Sequence, residues 1–160
     1  MSTWAGIAIL ISIIAAKMGA GYYQRARLTR AWETGMQAFQ AGDLESAQTA
    51  FGRCVKWAPI WVLGRRMFGR TLAALDRHKE AEEQFDFAVQ LEPRNGESYI
   101  DFAAYLATRG PDRMDDAIEM LAKGLELAPN YADEIRRAPG LAALRNDQRI
   151  QTLLTSGSHD

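Results

Sequence analysis

Four positions recur three times through the middle of the chain. Ala81, Phe85, Ala88 and Pro93 stand at spacings of four, three and five. The copy before them reads Ala47, Phe51, Cys54, Pro59, and the copy after them reads Ala117, Leu121, Gly124, Pro129. Small and large apolar residues at this spacing fall on one face of a helix, and proline disfavours helical geometry in the residue before it. The prolines lie 34 and then 36 residues apart, a period that predicts helix–turn–helix units stacked as a solenoid. Cys54, the single cysteine, fills the small-residue slot taken by Ala88 and Gly124 in the other copies, and no intrachain disulfide can form.

Ahead of the repeats, residues 4–23 read WAGIAILISIIAAKMGAGYY, an apolar run broken only by Lys17. As a helix it would span roughly 30 Å, about the hydrocarbon thickness of a bilayer. Trp4 at one end and Tyr22 and Tyr23 at the other suit the two interfaces, and Lys17 lies close enough to the second to snorkel outward. A single transmembrane helix over residues 1–23 is therefore expected. Ala8, Ser12, Ala16 and Ala20 recur at every fourth residue, a stripe along which a second transmembrane helix could approach closely. No basic residue precedes the run, whereas Lys17, Arg25, Arg27 and Arg30 follow it. The positive-inside rule then puts the N-terminus outside and the remainder in the cytoplasm. A cleaved secretory signal is the alternative, but it needs a basic leader and a small-x-small cleavage site; Met1-Ser2-Thr3 carries no side-chain charge.

Charge is uneven beyond that point. Residues 17–70 carry nine Lys/Arg against three Asp/Glu, and residues 71–160 carry ten against seventeen, which the net charge of −1 conceals. From Gln24 to Ala41 nothing interrupts a helical reading, so the membrane helix could run on into the first repeat, with a flex at Gly19 and Gly21. Asp43 is an N-cap for a helix over Leu44–Trp57. Trp61–Leu75 should bury Leu63, Met67, Phe68, Leu72 and Leu75, and His78–Leu91 should pair with it. The third unit runs Glu97–Thr108 and Arg113–Leu127, joined by a turn two residues longer, with Asp112 and Asp115 at capping positions. Beyond Pro129, Leu141, Leu144, Ile150, Leu153 and Leu154 can form the inner face of a cap, and the tail Thr155–Asp160 is small and polar.

Residues 28–129 resemble three tetratricopeptide repeats. Gly35, Gly69 and Ala103 match the family's small residue at the helix A–helix B crossing. Ala47, Ala81 and Ala117 match the small residue early in helix B; Phe51, Phe85 and Leu121 match the large residue one turn later; and Pro59, Pro93 and Pro129 match the terminal proline. The early helix-A tryptophan is replaced by Ala31, Arg65 and Tyr99. An all-α chain is expected: a transmembrane helix, a three-repeat solenoid over residues 24–129 (repeats at 28–61, 62–95 and 96–131), and capping helices with a polar tail over 130–160. The resemblance implies a protein-binding groove lined by the first helix of each repeat, here Trp32, Met36, Phe39, Arg66, Arg70, Glu97, Ile100 and Ala104. An apolar patch beside arginines suits an amphipathic or acidic peptide. The family's carboxylate clamp for chaperone C-termini needs Lys and Asn where this chain has Trp32 and Met36.

No catalytic, cofactor or metal site is expected. His78 and His159 lack a second ligand at metal spacing, Gly64 to Arg70 lacks the Gly-Lys-Ser/Thr ending of a phosphate loop, and Arg65, Arg66 and Arg70 fall short of an extended nucleic-acid surface. The expected function is a membrane-anchored scaffold or accessory subunit of a larger membrane complex, with protein partners and no nucleic acid. The alternatives are an exported soluble repeat protein and a targeting-peptide receptor at an organelle surface. The mature chain should retain residues 4–23; an intact mass short of this segment would favour the signal-peptide reading.

Overall fold

The structure, a computed structural model, describes the backbone of residues 3–156 and the side chains of residue 21 and residues 23–155. The described backbone is helical throughout, in eight α-helices joined by turns and short 3-10 segments. They are α1 (Thr3–Gln40), α2 (Leu44–Trp57), α3 (Val62–Ala74), α4 (His78–Leu91), α5 (Gly96–Ala107), α6 (Met114–Leu127), α7 (Ala132–Arg137) and α8 (Gln148–Ser156). The chain divides into two compact units, residues 1–59 and residues 60–160.

The first unit is the hairpin of α1 and α2. Backbone hydrogen bonding carries α1 through Gly19 and Gly21 without a break. Gly42 then turns the chain at φ 75°, a left-handed conformation that costs glycine little. Asp43 caps α2 as its residue type predicts, its side chain accepting from the Ser46 N–H at 3.1 Å. Phe51 and Cys54 are fully buried, with Ala47 and Ala50 beside them. The repeated frame has its explanation at Gly35: a Cβ there would stand 2.7 Å from the Phe51 ring. The small residue on the first helix is the seat of the large residue on the second.

The same device recurs in the second unit, where a Cβ at Gly69 would meet the Phe85 ring at 3.2 Å. Here α3 pairs with α4 and α5 with α6, while α5 also packs on α3 and α4. Phe85 stacks on Phe102 at 5.8 Å and leans on Tyr105 at 5.2 Å. The Tyr105 hydroxyl donates to the His78 carbonyl at 2.8 Å, fastening α5 to the start of α4. The core continues through Leu72, Leu106, Leu121 and Leu125 into the C-terminal segment. There Leu141, Leu144, Ile150 and Leu154 are buried and Leu153 is partly buried, so the apolar residues expected to form the cap do face inward.

Two expectations need correction. Leu63 is exposed at 39% and does not belong to the α3 stripe. The buried face of α3 instead carries Arg66 and Thr71 among Val62, Met67 and Leu72, and the Thr71 hydroxyl satisfies itself on the Met67 carbonyl at 2.8 Å. Neither Asp112 nor Asp115 caps α6. The longer connection forms a 3-10 turn over Pro111–Arg113, which runs straight into the helix and satisfies the Met114 N–H with the Pro111 carbonyl. Asp115 and Asp116 lie in the first turn, where they favour the helix dipole without capping it.

Phe85→Ala removes a ring buried from every side and should lower the unfolding free energy by about 3–5 kcal/mol. Phe87→Ala, two residues on and half-exposed with Arg65 over its ring, should cost under about 1 kcal/mol. Urea unfolding of the two variants gives the comparison; equal losses would contradict the buried frame.

Candidate protein-binding surfaces

In the second unit two of the expected surface residues, Arg66 and Glu97, meet in one ion pair. Glu97 and Asp101 are four residues apart on α5 and share a face. Arg66 on α3 reaches both: its Nη1 is 2.6 Å from Glu97 Oε2 and its Nε is 2.7 Å from Asp101 Oδ2. Tyr131, in the 3-10 turn after Pro129, donates its hydroxyl to the other Glu97 oxygen. Only 9% of Arg66 is exposed. Burial alone would weaken the guanidinium's hold on its proton, but the two carboxylates outweigh it and the pKa is raised. The Glu97 carboxyl is held below its ordinary range, first by the Tyr131 hydroxyl and then by Arg66.

This arrangement alters what the surface offers. Arg66 spends its donors inside the unit, while Arg70 is exposed and rests a guanidinium nitrogen 3.9 Å from the Met67 sulfur. Ile100 is partly buried against the core, and a Cβ at Gly124 would touch its side chain. Ala104 is also partly buried there. Asp101 and Tyr131 were not read from the sequence. Asp101 has one legible signal, its spacing from Glu97; Tyr131 has none, because it lies outside the repeat frame.

In the first unit Trp32, Met36 and Phe39 lie on α1 and are each partly exposed. Trp32 is not a free anchor: its ring packs on Phe51 with centroids 5.5 Å apart. The side chains of the stripe Ala8, Ser12, Ala16 and Ala20 lie outside the described residues. So do those of most of the apolar run at 4–23. Among the described residues no helix is long and apolar enough to cross a membrane.

The surfaces of the two units differ in charge. A shallow cleft of about 300 Å³ between α4 and α5 is lined by Glu82, Glu83 and Asp86 with Lys79 and Phe102. At its side Arg113 grips Glu82 at 2.7 Å and Asp116 at 2.8 Å. The first unit presents arginines instead. Among the described residues no cluster of His, Cys, Asp and Glu could hold a metal ion, and burial pushes the Cys54 thiol upward, away from thiolate reactivity.

Comparison with known proteins defines the fold. Over 82% of its length the chain superposes on a mutant O-GlcNAc transferase of Thermobaculum terrenum, with TM-score 0.67 and 20% identity, covering 25% of that chain. It superposes equally widely on the TPR2B domain of yeast Sti1, solved in complex with pHsp70, with TM-score 0.61 and 20% identity, covering 96% of that domain. In sequence it is 32% identical over 104 residues to the Protein O-mannosyl-transferase Tmtc1 of Drosophila melanogaster, which is 58% of this chain but 12% of that protein. No family model matches the chain. The fold is thus an all-helical, tetratricopeptide-repeat-like solenoid. The chain spans only about an eighth of its curated relative and a quarter of the bacterial transferase, so neither enzyme's chemistry follows.

The Glu97 pKa is lower in the folded chain than in the unfolded one. Its contribution to stability is therefore complete above the ordinary carboxylate range and is lost as pH falls through the folded value. Tyr131→Phe should lower the Tm at pH 7, and the gap from the parent chain should narrow at pH 3. Arg66→Ala, which strands two carboxylates, should cost roughly 1.5–3 kcal/mol at pH 7. Thermal unfolding at the two pH values checks both; a Tyr131→Phe gap independent of pH would contradict the assigned bond.

Proposed function

We propose that this chain is a membrane-anchored tetratricopeptide protein that acts as a protein–protein interaction scaffold or as an accessory subunit of a larger membrane complex. Residues 4–23 cross the bilayer with the N-terminus outside, and the repeats stand in the cytoplasm. The observation that carries the reading is the course of α1. One unbroken helix, Thr3–Gln40, contains both the apolar run and the residues that receive Phe51. At about 1.5 Å per residue it is roughly 57 Å long, enough to cross a bilayer and still form the first repeat.

The repeats supply the partner surfaces. In the first unit these are Trp32, Met36 and Phe39; in the second they are Arg70, Glu97 and Ile100, with Arg66 holding Glu97 in place. The likeness to a TPR2B domain solved with pHsp70 supports a protein ligand. The absence of Lys and Asn at positions 32 and 36 directs that ligand away from a chaperone C-terminus. Ala8, Ser12, Ala16 and Ala20 give the membrane segment a face for a partner helix.

The test is affinity purification of the full chain in mild detergent, with partners identified by mass spectrometry. Arg70→Glu should reduce recovery of a repeat-bound partner several-fold, and Ala8→Leu with Ser12→Leu and Ala16→Leu should reduce recovery of a membrane-bound one. Alkaline carbonate washing should leave the chain in the membrane pellet. Release by carbonate would refute the anchor, and recovery unchanged in both variants would refute the assigned surfaces.

A further inference from the structure

Among the described residues, the cations of the α1–α2 hairpin have no carboxylate partner, whereas five arginines of the second unit do. Arg66, Arg77, Arg113, Arg136 and Arg149 each pair with a carboxylate there. Arg25, Arg27, Arg30, Arg53 and Lys56 are all exposed, and among the described residues none has a carboxylate within ion-pair distance. The chain has no acidic residue at all before Glu33.

These cations surround two adjoining clefts. The Arg27 guanidinium lies over the Trp57 ring, 4.3 Å from its centroid, and this pair is common to both. The larger cleft, about 480 Å³, adds Arg25, Lys56 and Gln24. The smaller, about 210 Å³, adds Arg30, Arg53 and Thr34. Neither is lined by a carboxylate, and Glu45 shares a third cleft with Arg53. Five like charges gathered on two helical faces repel one another. The stack on Trp57 fixes Arg27 between the clefts, and the fork of a guanidinium suits a phosphate oxygen pair.

We propose that the larger cleft binds the phosphate headgroup of an anionic phospholipid. The source of the phosphate follows from position. The cleft opens at Gly21, where the apolar run is ending, and Arg25 and Arg27 follow within about 9 Å along the helix. That is the depth of the headgroups beyond the hydrocarbon, where basic residues meet the negative leaflet and tryptophan is favoured. Headgroup capture would also explain why Lys56 and Trp57 close α2 beside this stretch. The proposal rests on the membrane reading above.

The test is native mass spectrometry of the full chain in dodecyl maltoside, titrated with dioctanoyl-phosphatidylglycerol, dioctanoyl-phosphatidylcholine or inorganic phosphate. The phosphatidylglycerol adduct should form at a concentration at least tenfold lower than the phosphatidylcholine adduct. Arg25→Gln with Arg27→Gln and Lys56→Gln should abolish that preference. An equal loss of charge at exposed positions of the second unit, Arg94→Gln with Arg109→Gln and Arg137→Gln, should leave it intact. Equal binding of the two lipids, equal loss in both variants, or displacement of the lipid by equimolar phosphate or a DNA oligonucleotide would overturn the assignment. Carbonate release with lipid preference intact would sink the anchor and leave the cleft; retention without preference would do the reverse.

Discussion

The fold depends on a close approach between paired helices that only a small residue permits. Gly35 and Gly69 let the rings of Phe51 and Phe85 sit directly on helix backbone, and both rings are almost wholly excluded from water. Each such ring contributes on the order of 2–3 kcal/mol by burial. The third hairpin reaches the same end with Ala103 and Leu121, both fully buried: a methyl replaces the glycine, and a smaller side chain replaces the ring. A further close contact lies at the other end of the pair, where a Cβ at Gly96 would stand 2.6 Å from the Ala128 Cβ and 2.7 Å from the Gly124 carbonyl oxygen.

Polar interactions then decide which surfaces remain available. The second unit places Arg66 under α5 and consumes it with Glu97, Asp101 and Tyr131, a network whose remaining water-facing member is mainly Glu97. Removing any one partner would leave a charge or donor partly buried and unpaired, which costs more than the intact pair contributes. Among the described residues of the first unit, no such network surrounds Arg25, Arg27 and Lys56. Arg66 is thereby a structural cation, whereas Arg25, Arg27 and Lys56 are exposed.

Much of this was legible from residue order. Asp43, Gly42 and Pro59 mark the limits of α2 because capping, turn and stop signals are local. The Ala–Phe frame located the core because small and large residues alternate at helical spacing. What was not legible depended on distance along the chain. Arg66 reads as a surface cation until α5, about one repeat later, brings Glu97 and Asp101 over it. Asp112 looked like a cap because its spacing is right, but a 3-10 turn made the cap unnecessary. Tyr131 carried no signal because its role is set by where the chain goes after Pro129.

The account turns on α1 being one rigid helix that joins the apolar run to the first hairpin. Amide hydrogen exchange of the full chain in phospholipid nanodiscs tests this directly. Protection should continue without a gap from Gly21 through Arg30 and match that of Ala31 to Gln40, where α2 packs on the helix. Rapid exchange confined to residues 21–30 would show a hinge between the apolar run and the repeats, and would contradict the account.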